Sequence, residues 1–295
     1  MNIGRVVTAM VTPFNEKGQI DFPQIKVLLD YLIANGTDAV VVGGTTGESA
    51  TLSLEEKEAL YAESVRAAAG RIPVIAGTGM NDTHATAELT IRAEKANVDG
   101  IMLVAPYYNK PSQQGLYEHF KTIAGKTSLD VMLYNVPGRT MVNMLPETVI
   151  ALSQIKNITS VKEASGNLDQ MTAIISNTPD DFTVYTGEDS LTLPSMAIGA
   201  TGVVSVASHV IGSHMQDMIA RYLKGDIHGA SSIHGRIVPL MKAMFIAPSP
   251  SPVKAALAFQ GINSGGVRLP LIPLTEEEKT IVQKALETIH SPFKQ

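Results

Sequence analysis

The stretch Ala39-Val40-Val41-Val42-Gly43-Gly44-Thr45-Thr46-Gly47-Glu48 decides the fold. It opens on an apolar run with no polar alternation. Strands buried on both faces read this way, and parallel sheets are built of them. The glycine-rich turn leads on to Ser53-Leu54-Glu55-Glu56, a capping box that opens a helix running through Ala69, with Gly70 as its stop. In that helix Leu60, Tyr61, Ser64, Val65 and Ala68 form one buriable stripe. Strand, loop and amphipathic helix together make one βα unit.

Working outward, the same unit recurs along the chain. Strands are expected at Val6–Thr12, Ala39–Gly43, Val74–Thr78, Gly100–Ala105, Val131–Asn135, Ser160–Ala164, Thr183–Gly187 and Gly202–Val206, with helical stretches between them. Pro146 sits near one helix start, where its missing N–H costs nothing. Alternation of this length implies an α/β fold, a (β/α)8 TIM barrel. Periodicity does not show closure, so an open doubly wound sheet fits the same pattern. The chain continues past the eighth strand with helices expected at Ile227–Phe245, Pro252–Gln260 and Glu276–Thr288. Thr275 and Glu278 form a second capping box, and a proline-rich joint, Ala247–Pro252, separates two of the helices. The expected organisation is a catalytic barrel over residues 1–224 and a small C-terminal helical domain over 225–295.

Bulk composition narrows the function classes. The 295 residues are 44% hydrophobic and 17% charged, values of a globular protein. A formal net charge of −5 gives no electrostatic reason to expect nucleic acid or an anionic membrane as partner. Cysteine is absent, which removes disulfides, thiol nucleophiles and cysteine zinc sites. The N-terminus has no signal-peptide pattern, and no apolar run approaches the ~20 residues needed to span a bilayer. A soluble, cytoplasmic protein is expected. The histidines lack metal-ligand spacing, with His209 and His214 better read as loop or core residues, and no Gly-x-Ser-x-Gly supports a serine hydrolase.

In a barrel, reacting groups sit at the C-terminal ends of strands and in the loops that follow. Four places there could carry chemistry. Lys162 lies in Ile158-Thr159-Ser160-Val161-Lys162-Glu163-Ala164, a strand otherwise suited to burial. A lysine there reaches water, pairs with Glu163, or gives up its charge, and a free amine is the form that imine chemistry requires. Gly43–Glu48 offers consecutive amides and two hydroxyls, suited to a small carboxylate or phosphate, or else is simply a tight βα turn. Tyr134 ends the fifth strand and Arg139 follows it. A tyrosine hydroxyl facing a pocket moves protons, and an arginine clamps a carboxylate. The alternatives are a core tyrosine with its hydroxyl satisfied and a surface arginine. Ala105-Pro106-Tyr107-Tyr108-Asn109-Lys110-Pro111 places two tyrosines in a stiffened loop, where they line a pocket, meet a neighbouring subunit, or merely pack.

Taken in order, Gly44-Thr45-Thr46-Gly47-Glu48, Val74-Ile75-Ala76-Gly77-Thr78-Gly79, Ala105-Pro106-Tyr107-Tyr108, Tyr134-Asn135-Val136-Pro137-Gly138-Arg139 and Val161-Lys162-Glu163-Ala164 resemble one family. It is the pyruvate-dependent class I aldolases and lyases headed by dihydrodipicolinate synthase and N-acetylneuraminate lyase. The likeness extends through Arg268-Leu269-Pro270. The tandem Thr45-Thr46 and the setting of Arg139 resemble the synthase branch, since sialic acid lyases usually carry Ser-Thr there and lack the arginine.

The resemblance implies that Lys162 forms an imine with pyruvate and Tyr134 moves protons. It implies that Thr45 links Tyr134 to Tyr108, and that Tyr108 comes from the adjacent subunit. Thr46 would hold the pyruvate carboxylate, Gly187 and Val204 would line the pyruvate pocket through backbone groups, and Arg139 would bind the carboxylate of L-aspartate 4-semialdehyde. The implied product is 4-hydroxy-tetrahydrodipicolinate, made without cofactor or metal, for lysine and diaminopimelate biosynthesis. The implied assembly is a homo-oligomer, a dimer of dimers. The alternatives are a 2-keto-3-deoxy sugar acid aldolase or sialic acid lyase on the same Schiff base, and a small-acid-binding barrel without turnover. Lysine-inhibited members of the family bind lysine at the dimer interface. This chain keeps Ser49, Ala50, Asn81 and Tyr107 there, but has Leu54 and Lys57 in place of histidines and Ala85 in place of a glutamate. Weak or absent feedback inhibition is expected.

Overall fold

The computed structural model describes residues 3–290; Met1, Asn2 and residues 291–295 of the expected C-terminal domain lie outside the described residues. Eight parallel strands close on one another: β1 (Val6–Ala9), β2 (Ala39–Val42), β3 (Val74–Gly77), β4 (Gly100–Val104), β5 (Asp130–Asn135), β6 (Ile158–Glu163), β7 (Thr183–Thr186) and β8 (Gly202–Ser205). Each pairs with the next, and β8 returns to β1, with Val7 opposite Val204. Closure settles the choice between barrel and open sheet that sequence periodicity leaves open.

The parity of the strands creates two cores. Val7, Val41, Ile75, Met102, Met132, Tyr134, Tyr185 and Val204 pack together inside the barrel. Their chain neighbours Val6, Val40, Val42, Val74, Ala76, Ile101, Leu103, Leu133, Val184 and Val203, and Val161 of β6, face outward into the larger core beneath the helices. Both faces are apolar, which is why the runs read as continuous rather than alternating.

The strands differ from the expected spans at their ends. β1 stops at Ala9 rather than Thr12. Met10 N–H still donates to Val41, but Val11 N–H donates to the His209 ring and the Thr12 hydroxyl donates to the Gly47 carbonyl. These residues are buried by loops, not by ladder pairing, and an apolar pattern does not separate the two. β5 and β6 begin earlier, at Asp130 and Ile158.

The Leu54–Ala68 helix carries the full capping box, with Ser53 and Glu56 exchanging bonds, and Ala69 in the left-handed conformation ends it before Gly70. Its buried face includes Lys57 and Ala67, while Val65 is only half-buried. The Pro146–Leu152 helix starts at its proline. After the barrel, helices run over Ile227–Ala243, Ser251–Phe259 and Glu276–His290, each within two residues of its expected ends. Thr275 and Glu278 form their box. Among the described residues no helix is long and apolar enough to cross a membrane.

Candidate active site

Lys162 sits on β6 between Tyr134 of β5 and Tyr185 of β7, all three in register. Because Val161 faces the outer core, Lys162 faces inward. It is 5% exposed, and its Nζ lies 4.2 Å from the centroid of the Tyr134 ring. Both simpler readings of this lysine fail. It does not reach bulk water, and the Glu163 carboxylate points to the opposite side of the strand, where Asn135, Ser165 and Gln170 hold it. Among the described residues no ion pair involves Lys162, and no other lysine lies in a strand.

The two flanking tyrosines are not equivalent. Tyr185 donates its hydroxyl to the Gly4 carbonyl at 2.8 Å, at the N-terminal end of the barrel, and burial pushes its pKa up to about 12. The Tyr134 hydroxyl makes no hydrogen bond among the described residues, and Tyr134 lines a cavity of about 480 Å³ at the C-terminal end of the barrel. The cavity is also lined by Gly43, Gly44, Thr45, Val136 and Arg139. Arg139 stands in a single helical turn, Pro137–Thr140, directly after β5.

Two glycines shape this end of the barrel. Gly43 has φ +64°, and a Cβ there would stand 2.9 Å from the Tyr61 ring, whose hydroxyl donates to the Gly77 carbonyl. At Gly187 a Cβ would fall 2.6 Å from Ala164 Cβ and 2.9 Å from Lys162 Cε. The lysine stem occupies the space a side chain at 187 would need.

Sequence reasoning stopped at Gly187 and missed the two carboxylates after it. Burial, then the neighbouring Asp189 charge, raises the pKa of Glu188, while Lys162 and Arg139 pull it back down. Glu188 therefore lies near both basic side chains. Asp189 is fully buried; its pKa is raised by that burial, and its Oδ2 accepts from the Val206 and Ala207 amides, fixing the turn after β8. An acidic pair at the C-terminal end of a barrel strand is the signal that would have found them.

The remaining expected residues are distributed unevenly. Thr46 is buried and Thr45 exposed at the turn after β2, and Val204 is fully buried in the inner core. Among the described residues no hydrogen bond joins Thr45 to Tyr134 or Tyr108. Tyr108, at φ +76°, is 88% exposed and does not line its own chain's cavity. Lys57 is 5% exposed and lines the cavity with Ser49, Ala50 and Tyr107; burial pulls its pKa below the ordinary lysine range. Leu54 and Ala85 stand outside that lining. His209 is a core histidine, bonded through both ring nitrogens to the Val11 amide and the Val206 carbonyl.

Fold and site together define a (β/α)8 barrel that holds one sheltered lysine against the face of a tyrosine. The chain belongs to the dihydrodipicolinate synthetase family, whose model matches residues 2–289. It is 56% identical over 289 residues to the 4-hydroxy-tetrahydrodipicolinate synthase of Bacillus velezensis, covering 98% of this chain and 100% of the relative. To 4-hydroxy-tetrahydrodipicolinate synthase 1 of Halalkalibacterium halodurans it is 58% identical over 293 residues, covering 99% of each. The crystal structure of a dihydrodipicolinate synthase from Bacillus anthracis superposes with a TM-score of 0.96 at 55% identity, covering 97% of this chain and 98% of the other. That of the Cyanidioschyzon merolae enzyme with lysine bound gives 0.96 at 44% identity, covering 98% of each.

Proposed function

We propose that the chain is a 4-hydroxy-tetrahydrodipicolinate synthase, a lyase of lysine and diaminopimelate biosynthesis working in the cytoplasm. It condenses pyruvate with L-aspartate 4-semialdehyde through a Schiff base on Lys162. The observation that carries this reading is the Lys162 amine, sheltered from water, unpaired with any carboxylate among the described residues and set against the face of Tyr134.

The Lys162 amine adds to the pyruvate ketone, and loss of water gives the imine. The imine withdraws electrons, so the pyruvate methyl group releases a proton and leaves an enamine. The enamine carbon attacks the aldehyde carbon, whose oxygen takes up a proton to become the ring hydroxyl. The substrate's own amine then adds to the imine carbon, closes a six-membered ring and expels Lys162. Because the imine is itself the electron sink, the sequence of steps calls for no organic cofactor or metal.

Tyr134 exchanges protons with the carbinolamine and the closing ring, its hydroxyl being uncommitted. Thr45 relays those protons to Tyr108 of a neighbouring copy. The near-complete exposure of Tyr108 supports its use outside its own chain, which makes a dimer the smallest complete catalyst and a dimer of dimers the assembly. Thr46 holds the pyruvate carboxylate, the backbone of Gly187 and Val204 lines the pyruvate pocket, and exposed Arg139 clamps the carboxylate of the semialdehyde.

Borohydride treatment in the presence of pyruvate, followed by peptide mapping, tests the reading. A single reduced adduct on Lys162 is expected, together with turnover of aspartate semialdehyde and not of 2-keto-3-deoxy sugar acids. No adduct, or an adduct on another lysine, overturns it.

A further inference from the structure

Directly behind the Lys162–Tyr134 pair lies a buried polar cluster that the reaction steps do not use. Strand parity puts Asn135 and Glu163, each one residue beyond a reacting side chain, on the outer side of the barrel and opposite one another in register. Asn135 is fully buried and Glu163 is 1% exposed.

Every partner of the Glu163 carboxylate is a donor. Oε1 accepts from Ser165 N–H at 2.7 Å and Asn135 Nδ2 at 3.2 Å; Oε2 accepts from Asn135 Nδ2 at 3.0 Å and Gln170 Nε2 at 3.1 Å. The orientation of the Asn135 amide is fixed independently, because its Oδ1 accepts from Met144 N–H at 2.9 Å. Asn135 Nδ2 also donates to Asn143 Oδ1 at 2.8 Å, and Asn143 Nδ2 donates to Gln170 Oε1 at 2.9 Å. Gln113 Nε2 closes the outer side on the Asn143 carbonyl at 2.8 Å.

The cluster thus joins the ends of β5 and β6, the segment after Arg139 and the first turn of the Leu168–Asn177 helix. Among the described residues no cation pairs with the carboxylate. A buried charge held only by dipoles is costly compared with apolar packing, and its gain is a fixed geometry. The same two strand ends carry Lys162 and Tyr134, opposite one another one residue earlier.

We propose that Glu163 and Asn135 are positioning residues for the reaction, clamping the ends of β5 and β6 so that the Lys162 amine and the Tyr134 ring stay face to face. This rests on the Schiff-base reading of Lys162. An isosteric Glu163→Gln change turns an NH2 toward atoms that donate in the parent, so the clamp loses bonds without a change of volume. Asn135→Asp faces carboxylate to carboxylate across the two strand ends. In the double variant Asn135→Asp/Glu163→Gln the carboxylate moves to the β5 side, and the new amide on the β6 side donates to it.

The two single variants, the double variant and the parent are compared for kcat, KM and the rate of borohydride-trapped adduct formation with pyruvate. Each single change is expected to lower kcat and the trapping rate together by about 10²-fold, the order of loss from a displacement of about 1 Å, with KM little changed. The double variant regains at least a tenth of parental kcat. Gln170→Leu, at the edge of the cluster, provides a milder lesion if a single variant does not fold, with a smaller loss in the same direction. Single variants, or Gln170→Leu, with lower melting temperatures but parental kcat and trapping rate per folded molecule overturn the proposal, as does a double variant no faster than the singles. A parent that traps no pyruvate overturns instead the Schiff-base reading.

Discussion

At the residue scale, the placing of Lys162 depends on the room left beside it. Its stem fills the space beside Gly187, so Gly187→Ala forces Ala164, Lys162 or both to move. Overlaps of this size in packed interiors are relieved by backbone shifts or off-rotamer side chains. Gly187→Ala is therefore expected to cut kcat by about 10²-fold through misplacement of the amine, with the trapped adduct forming correspondingly slowly. Unaltered trapping would show that the lysine has somewhere else to go. Lys57 governs a second expectation. Its buried cation faces the same cavity as Ser49, Ala50 and Tyr107, and like charge disfavours an ammonium ligand there. Inhibition by lysine is expected to be weak or absent, with most of the turnover kept at sub-millimolar lysine. Half-inhibition at sub-millimolar lysine would refute the expectation.

At the scale of elements, the C-terminal segment is strapped to the Gly43–Glu48 turn after β2. Glu48, in a left-handed conformation at the end of that turn, pairs with Lys254 of the Ser251–Phe259 helix at 2.9 Å, both side chains buried. Lys254 also donates to the Gly266 carbonyl at 2.6 Å. Arg268 N–H donates to the second Glu48 oxygen, and the Arg268 guanidinium bonds the Thr51 carbonyl and the Glu56 carboxylate. The Phe14 ring packs under both cations, with Lys254 Nζ at 4.3 Å and the Arg268 guanidinium carbon at 4.5 Å from its centroid. Removing one partner of a buried pair strands the other charge, so Lys254→Met is expected to lower the unfolding free energy by about 3 kcal/mol. Glu48→Gln/Lys254→Met recovers much of that loss. Denaturant unfolding measures both, and equal stability of single and double variants would show that the pair is not the strap.

At the scale of the whole molecule, acid stability is set in part where the barrel meets its loops. Fully buried His209 accepts from Val11 N–H at 3.1 Å and lies 2.8 Å from the Val206 carbonyl through Nδ1, so the neutral ring protonated at Nδ1 satisfies both. Burial holds its pKa down at about 4, below the ordinary 6.5. Above pH 6.5 folded and unfolded chains both carry a neutral ring, and the contribution is complete. As pH falls from about 6.5 to about 4 the unfolded chain takes up a proton that the folded chain refuses, and stability declines by up to about 3 kcal/mol. Buried His119, held at about 4 by the same cause, adds with the same sign. Urea unfolding at steps from about pH 7 to about pH 4 is expected to show a shallower decline in His209→Gln than in the parent. Parallel curves would exclude the histidine as the source.

The sequence by itself determined the order of eight βα units, the capped helices at Ser53 and Thr275, and, among the described residues, the one lysine placed in a strand. Those properties are local: an apolar run, a capping residue and a strand position are legible within a dozen neighbours. It also singled out Tyr134 and Arg139 by their place after β5. What only the tertiary structure decided is non-local. Closure of the sheet, the choice between Tyr134 and Tyr185 as the tyrosine with a free hydroxyl, the turning of Glu163 away from Lys162, and the approach of Glu188 to Lys162 and Arg139 each depend on residues that meet across the barrel. Apolar runs look alike whether a ladder or a loop buries them, so the end of β1 was set by the His209 ring and the Gly47 carbonyl, groups that the strand's own residues do not specify.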